Sequence, residues 1–270
     1  MKKYPSFVLA VLFILFLGRG LLCLGPLPIE ITILYDNRPS DSACVTDWGF
    51  SCFIKAFEKT ILFDVGEKED VFLKNVKALN VDLKAADAVV ISHLHPDHAN
   101  AIGAFLNLKS GLPIYVPDDL NPEPRTQRFR DEIQKAGIAP TVVKAPTEIF
   151  PHVFLTGTMG LGIKEQSLIL DTDSGLVIVT GCSHQGVVAV VQRARSMLKK
   201  DIRLLLGGFH LLDYKEAVIK NIIEKLKENG VRQVGATHCT GETAIRMIKD
   251  AYGEKFVDLG VGRKIVLDRF

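Results

Sequence analysis

The sequence has little cysteine: Cys23, Cys44, Cys52, Cys182 and Cys239 are five, an odd number with no CxxC spacing. That excludes a disulfide framework or a structural zinc knuckle as the main staple. Charge of one sign is also lacking, since 33 Lys and Arg stand against 31 Asp and Glu, for a net charge of +2. Without a basic field, no nucleic-acid partner is expected. No linker rich in Pro, Gly or Ser divides the chain after position 28, so one domain over 29–270 is the simpler reading. Neither a short repeat nor a serine or cysteine nucleophile motif is visible. What is there is 270 residues of 47% hydrophobic content, enough for a sizeable core and too apolar for disorder.

Residues 1–28 stand apart. Lys2 and Lys3 precede an apolar run over 7–17, then come Gly18, Arg19 and Gly20 and a second apolar stretch over 21–27. The basic-then-apolar order predicts a signal peptide or an N-terminal membrane anchor. The protein is therefore expected to be exported or membrane-anchored, with membrane attachment through residues 1–27. The other reading is a buried N-terminal helix in a cytoplasmic protein.

From position 29 onward, short β-branched runs alternate with amphipathic ones. Strands are predicted at 31–35, 51–57, 60–64, 88–92, 113–116, 141–144, 153–156, 167–171, 176–180, 202–206, 233–237 and 264–267. Helices are predicted at 68–79, 98–107, 127–136, 187–198, 215–229 and 242–252. Short turns at 57–59 and 173–175 read as antiparallel hairpins. The same mix in both halves suggests two packed sheets with helices outside.

The densest chemistry lies at 92–98, SHLHPDH, which puts His93, His95, Asp97 and His98 just after an apolar run. Imidazole nitrogens and a carboxylate are donors for zinc or another borderline divalent ion, and a tight loop can aim alternate side chains at two neighbouring ions. With only seven histidines in the chain, a chance run of solvated histidines is a poor explanation. Three more follow apolar strand candidates: His184 in GCSH, His210 in GGFH and His238 in HCTG. Each alone could be structural, but strand ends can converge on one sheet edge, and the glycine flanks favour close backbone approach to a ligand. His152, after Pro151, reads as surface.

The HxHxDH loop, with Phe63, Asp64, Val65 and Gly66 about thirty residues upstream, resembles the metallo-β-lactamase superfamily. GCSH, GGFH and HCTG, with Asp36, Asn37 and the 48–51 segment, resemble a branch of metal-dependent hydrolases that includes the dihydropterin ribofuranosyl-aminobenzene phosphate synthase. The resemblance spans 29–270 and implies an α/β fold, an αββα sandwich of two mixed β-sheets flanked by helices. It also implies that His93 and His95 hold one metal, Asp97 and His98 a second, and His238 the second as well. The usual segment for the third histidine of the first site is absent, and His184 is the expected substitute. Cys182 is either a thiolate ligand or a small buried hydrophobe. Asp64 is expected behind the loop, orienting a histidine.

Two divalent metal ions, zinc first with iron or manganese open, would share a hydroxide, lower the pKa of its parent water and clamp a developing oxyanion. The expected activity is a metal-dependent hydrolase of a small ester or phosphoester, with Asp97 as ligand and orienter of the nucleophile and His210 contacting the small-molecule substrate. The alternatives are a pterin and ribose-phosphate condensing synthase, whose cytoplasmic substrates an export segment contradicts, and a non-catalytic metal-dependent binding module. The sequence leaves the oligomeric state open.

Overall fold

A computed structural model describes residues 28–121 and 123–268. In chain order the strands are β1 (Ile29–Tyr35), β2 (Ser51–Ala56), β3 (Lys59–Phe63), β4 (Ala88–Val90), β5 (Ile114–Val116), β6 (Thr141–Val142), β7 (Thr147–Phe150), β8 (Val153–Leu155), β9 (Leu168–Thr172), β10 (Gly175–Thr180), β11 (Ile202–Gly208), β12 (Val231–Thr237) and β13 (Lys264–Leu267). The helices are α1 (Glu69–Ala78), α2 (Pro96–Ala99), α3 (Ile102–Leu106), α4 (Gln127–Lys135), α5 (Val187–Leu198), α6 (Glu216–Glu228) and α7 (Glu242–Tyr252). One sheet runs β13-β1-β2-β3-β4-β5-β6 and the other β12-β11-β10-β9-β8-β7. Both are mixed: β3 to β6 and β10 to β12 are parallel, and the hairpins β2-β3 and β9-β10 are antiparallel.

Strand alternation explains the layers. In β10 every residue is buried, because both faces are covered, as is usual for parallel strands. Val177 and Val179 point inward to meet Ile31, Ile33, Ile54 and Phe63 of the other sheet. Leu176 and Ile178 point outward under α5, whose Val187, Val190, Val191 and Ala194 repeat at helical spacing. The opposite sheet buries Leu62, Val89 and Ile91 under Phe72 of α1, Phe105 of α3 and Phe129 of α4. Each fully buried aliphatic or aromatic side chain contributes about 1.5–3 kcal/mol. The result is the expected αββα sandwich.

The structure departs from the sequence reading at three places. The predicted helix over 98–107 is two, α2 and α3, because long-range partners take its backbone groups. Ala101 N–H donates to Gly66 O and Phe50 N–H to Asp97 O, the two groups a continuous helix would pair with each other. Strand β7 had no expectation; its half-exposed TEIF run at a sheet edge lacks a clear apolar alternation. The predicted signal peptide or membrane anchor lies outside the described residues. Among the described residues no helix is long and apolar enough to cross a membrane. The 7–17 run is also broken by Gly18, Arg19 and Gly20 before the roughly 20 residues a bilayer span needs.

Candidate metal centre

Parallel strands deliver their carboxyl ends to a common edge, the place where open α/β sheets bind ligands. Behind the loop after β4 lies Asp64, fully buried and left-handed at φ 53. Its carboxylate accepts from Ser92 N–H at 2.6 Å, Ser92 Oγ–H at 2.7 Å and His98 Nδ1–H at 2.8 Å. With the Ser92 proton spent on Asp64, Ser92 Oγ accepts from His93 Nδ1–H at 3.0 Å. These bonds hold a proton on Nδ1 of each ring and turn Nε2 towards the site.

The other sheet supplies the facing side chains. Past β10, the 181–184 turn is pinned by Glu165, whose carboxylate accepts from the N–H groups of Cys182 and Ser183 at 2.8 Å and of His184 at 2.9 Å. Past β12, His238 Nδ1–H donates to Asn37 Oδ1 at 3.1 Å, which turns its Nε2 towards Asp97 and His98. Trp48 covers that ring, with centroids 4.8 Å apart. Left-handed backbone recurs at Ser183, His210 and His238 (φ 62, 52 and 52), a strain of about 1–3 kcal/mol each that clusters at functional sites.

Glycine was expected to let backbone approach a ligand, and here it lets the layers of the site approach one another. A Cβ on Gly181 would lie 2.1 Å from Ser92 Oγ, and one on Gly208 would lie 2.4 Å from Gly181 O and 2.7 Å from Cys239 Sγ.

Two donor groups result. His93, His95 and His184 form a near-equilateral triangle, with ring centroids 4.7 to 4.9 Å apart and His93 Nε2 3.3 Å from His184 Nε2. Asp97, His98, Cys182 and His238 form the second group. There His98 Nε2 is 3.2 Å from His238 Nε2, 3.2 Å from Cys182 Sγ and 3.5 Å from Asp97 Oδ2. Asp97 Oδ2 is 3.2 Å from His238 Nε2.

The residues fit a cation. Inward-facing nitrogens, sulfur and carboxylate oxygen 3.2 to 3.5 Å apart have the spacing of ligand atoms about 2.1 Å from a tetrahedral ion, which lie about 3.4 Å apart. Electrostatics agrees. Burial holds the His93 imidazole well below its usual pKa and, with His210 and His95, brings His184 down to about 3, so the first group is neutral. In the second group burial opposes charging of His98, but Asp97 and Asp64 outweigh it and lift the pKa to about 9. Burial alone would raise the Asp97 carboxyl; His98 and His238 instead hold it well below the carboxylate range. Positive charge is thus favoured at the second group alone, where a cation would take the place of the His98 proton.

The structure thus brings His93, His95, Asp97, His98, His184, His238 and Cys182 together, with Asp64 behind them. His210 is exposed, its ring centroid 4.3 Å from that of His184, beside a cavity of about 200 Å³ lined by Phe209, Leu211, Tyr214 and Lys225. His152 is exposed, as read from sequence. Sequence reasoning missed Glu165, Asn37 and Cys239 as parts of the site. Cys239 and Asn37 sit in quoted motifs without a role, and Glu165 has no local motif.

An αββα sandwich with two cation-type donor groups on one edge defines a metal-dependent class of proteins. The sequence profile of the metallo-beta-lactamase superfamily matches residues 49–191, and the chain belongs to that superfamily. It is 28% identical over 285 residues to a 7,8-dihydropterin-6-methyl-4-(beta-D-ribofuranosyl)-aminobenzene-5'-phosphate synthase of Methanocaldococcus jannaschii, covering 87% of this chain and 95% of the relative. A crystal structure of a metal-dependent hydrolase of the beta-lactamase superfamily superposes with a TM-score of 0.75 at 28% identity, covering 89% and 99% of the two chains. An N-acyl homoserine lactonase of Bacillus cereus is 35% identical over 156 residues, 56% of this chain and 58% of its own. The long match to a synthase stands against the signal peptide, the membrane attachment and the exported or membrane-anchored location expected from residues 1–27, and those expectations are withdrawn.

Proposed function

We propose that the protein is a metal-dependent hydrolase that uses two divalent cations, zinc foremost, on a small ester or phosphoester. The observation that carries this reading is the meeting of two separate donor groups, drawn from both sheets, at one edge of the sandwich. His93, His95 and His184 would hold one cation, and Asp97, His98 and His238 the other, with Cys182 Sγ at the second. When bound, such cations supply Lewis acidity, which brings the pKa of water towards neutrality and offsets developing oxyanion charge.

The chain's own groups do the rest. Asp97, kept ionised by its histidine neighbours, accepts a hydrogen bond from the attacking water and orients it. Asp64, Ser92 and Asn37 hold the imidazole tautomers, so the donors need no reorganisation. His210, exposed beside His184, contacts the substrate, whose remaining part enters the cavity of Phe209, Tyr214 and Lys225.

A second reading, condensation of a pterin with a ribose phosphate, is favoured by the relative matched along 95% of its length. Metal-loaded protein assayed against carboxylic esters, lactones and phosphodiesters, beside the condensation reaction, separates the two. Hydrolysis that is lost together with bound cation in His95→Ala supports the hydrolase. Condensation without hydrolysis favours the synthase, and tight cation binding with neither reaction refutes both.

A further inference from the structure

Beside the two donor groups stands a third, which shares Cys182 with the second and adds Cys239, a residue without a part in the proposed reaction. Cys182, His210 and Cys239 bring two sulfurs and a ring nitrogen within 4.8 Å of one another. They leave the ends of three adjacent parallel strands, β10, β11 and β12. Neither thiol is in a disulfide, and both side chains are buried at 3% exposure, while His210 is exposed and gives access from one side.

The local build is specific to this cluster. Gly208 leaves room for the Cys239 sulfur, since a Cβ there would lie 2.7 Å from Sγ. His210, a member of the cluster, and His238, the neighbour of Cys239, are in left-handed backbone at φ 52, which aims side chains of two short segments into one place. Packing alone would be served by any small apolar residue at 182 and 239 without this arrangement. Two sulfurs and one imidazole are the donor set of soft cations, unlike the nitrogen and nitrogen-carboxylate sets alongside.

We propose that Cys182, His210 and Cys239 form a third cation site, selective for a thiophilic ion such as zinc or copper(I), with the Cys182 thiolate shared with the group of Asp97, His98 and His238. Each thiol that binds releases its proton to solvent, so no oxidant or reductant takes part. Three protein donors leave the fourth position of a tetrahedral ion to solvent or to an incoming ligand. The site does not depend on which reaction its neighbours carry out.

The test uses the full chain, stripped by a chelator and titrated with cadmium(II) or cobalt(II). Thiolate-to-metal charge-transfer absorption is followed and bound equivalents are counted by elemental analysis. Wild type is expected to bind about one equivalent more than Cys239→Ser, whose charge-transfer absorption falls to about half. His95→Ala keeps that absorption, because its imidazole belongs to a different group. An unchanged number of equivalents in folded Cys239→Ser overturns the proposal whatever the absorption does, and so does loss of the absorption in His95→Ala. Should circular dichroism show Cys239→Ser unfolded, His210→Gln at its exposed position decides: affinity for the extra equivalent lower by about tenfold or more supports the site, and unchanged affinity overturns it.

Discussion

Glu165→Gln tests the view that a buried carboxylate clamps the turn bearing His184. In the wild type one carboxylate accepts three successive backbone N–H groups, those of Cys182, Ser183 and His184, at 2.8 to 2.9 Å. The amide keeps one oxygen, which can serve Cys182 and Ser183. Its NH2 then faces the N–H of His184, donor against donor, and that buried group goes unpaired at about 1–3 kcal/mol. The uncharged amide costs less to bury than the carboxylate, so the net destabilisation settles at about 2 kcal/mol. For a domain of this length that lowers the melting temperature by about 4–8 °C. His184 Nε2 sits 3.3 Å from His93 Nε2 and moves with the turn, so zinc affinity should fall by about 10–100-fold. Thermal unfolding of metal-free protein and calorimetric zinc titration read the two effects separately. A melting temperature within about one degree of wild type, with undiminished zinc affinity, would refute the clamp.

Three further outcomes follow from the geometry. Asp64→Asn keeps one oxygen for Ser92 N–H but turns its NH2, a donor, against Ser92 Oγ–H and His98 Nδ1–H, so the anchor of the His98 and His93 rings is lost and zinc affinity drops by about 10–100-fold; unaltered affinity in an equilibrium titration would contradict that role. Burial lifts the Asp36 carboxyl from 3.8 to about 6, against the bonds from Thr237 and Arg38. The folded form therefore keeps a proton the unfolded chain has released, and stability declines as pH rises from about 4 to about 6, by up to about 3 kcal/mol; Asp36→Asn should flatten this segment of a urea-unfolding pH series, and an equally steep decline there would rule the carboxyl out. Gly208→Ala forces a methyl against Gly181 O and Cys239 Sγ, so the domain should lose about 1–3 kcal/mol, and a neutral effect in the same assay would show that the turn can give way.

Much of the architecture was legible because its signals are local. The all-buried run of β10 and the helical spacing of α5 announce a strand covered on both faces and a helix lying over it. The loop 93–98 declares its chemistry within six residues. What escaped depends on partners far away in sequence. The break between α2 and α3 is caused by Gly66 and Phe50, and Asn37 lies 201 positions from His238. Glu165 acts through backbone N–H groups, which carry no residue identity, so no motif could have flagged it. Cys239 was visible within HCTG, but its nearness to Cys182 and His210 is set by the register of β10, β11 and β12.

The donors divide between the two sheets, with His93, His95, Asp97 and His98 on one and Cys182, His184 and His238 on the other. An ion gripped from both sides is a rivet through the sandwich: it has no comparable home once the layers part. Saturation at a thousand times the dissociation constant would therefore add about 4 kcal/mol to the equilibrium free energy of parting the halves. Starvation for metal would loosen the whole molecule and not only the edge where the donors meet.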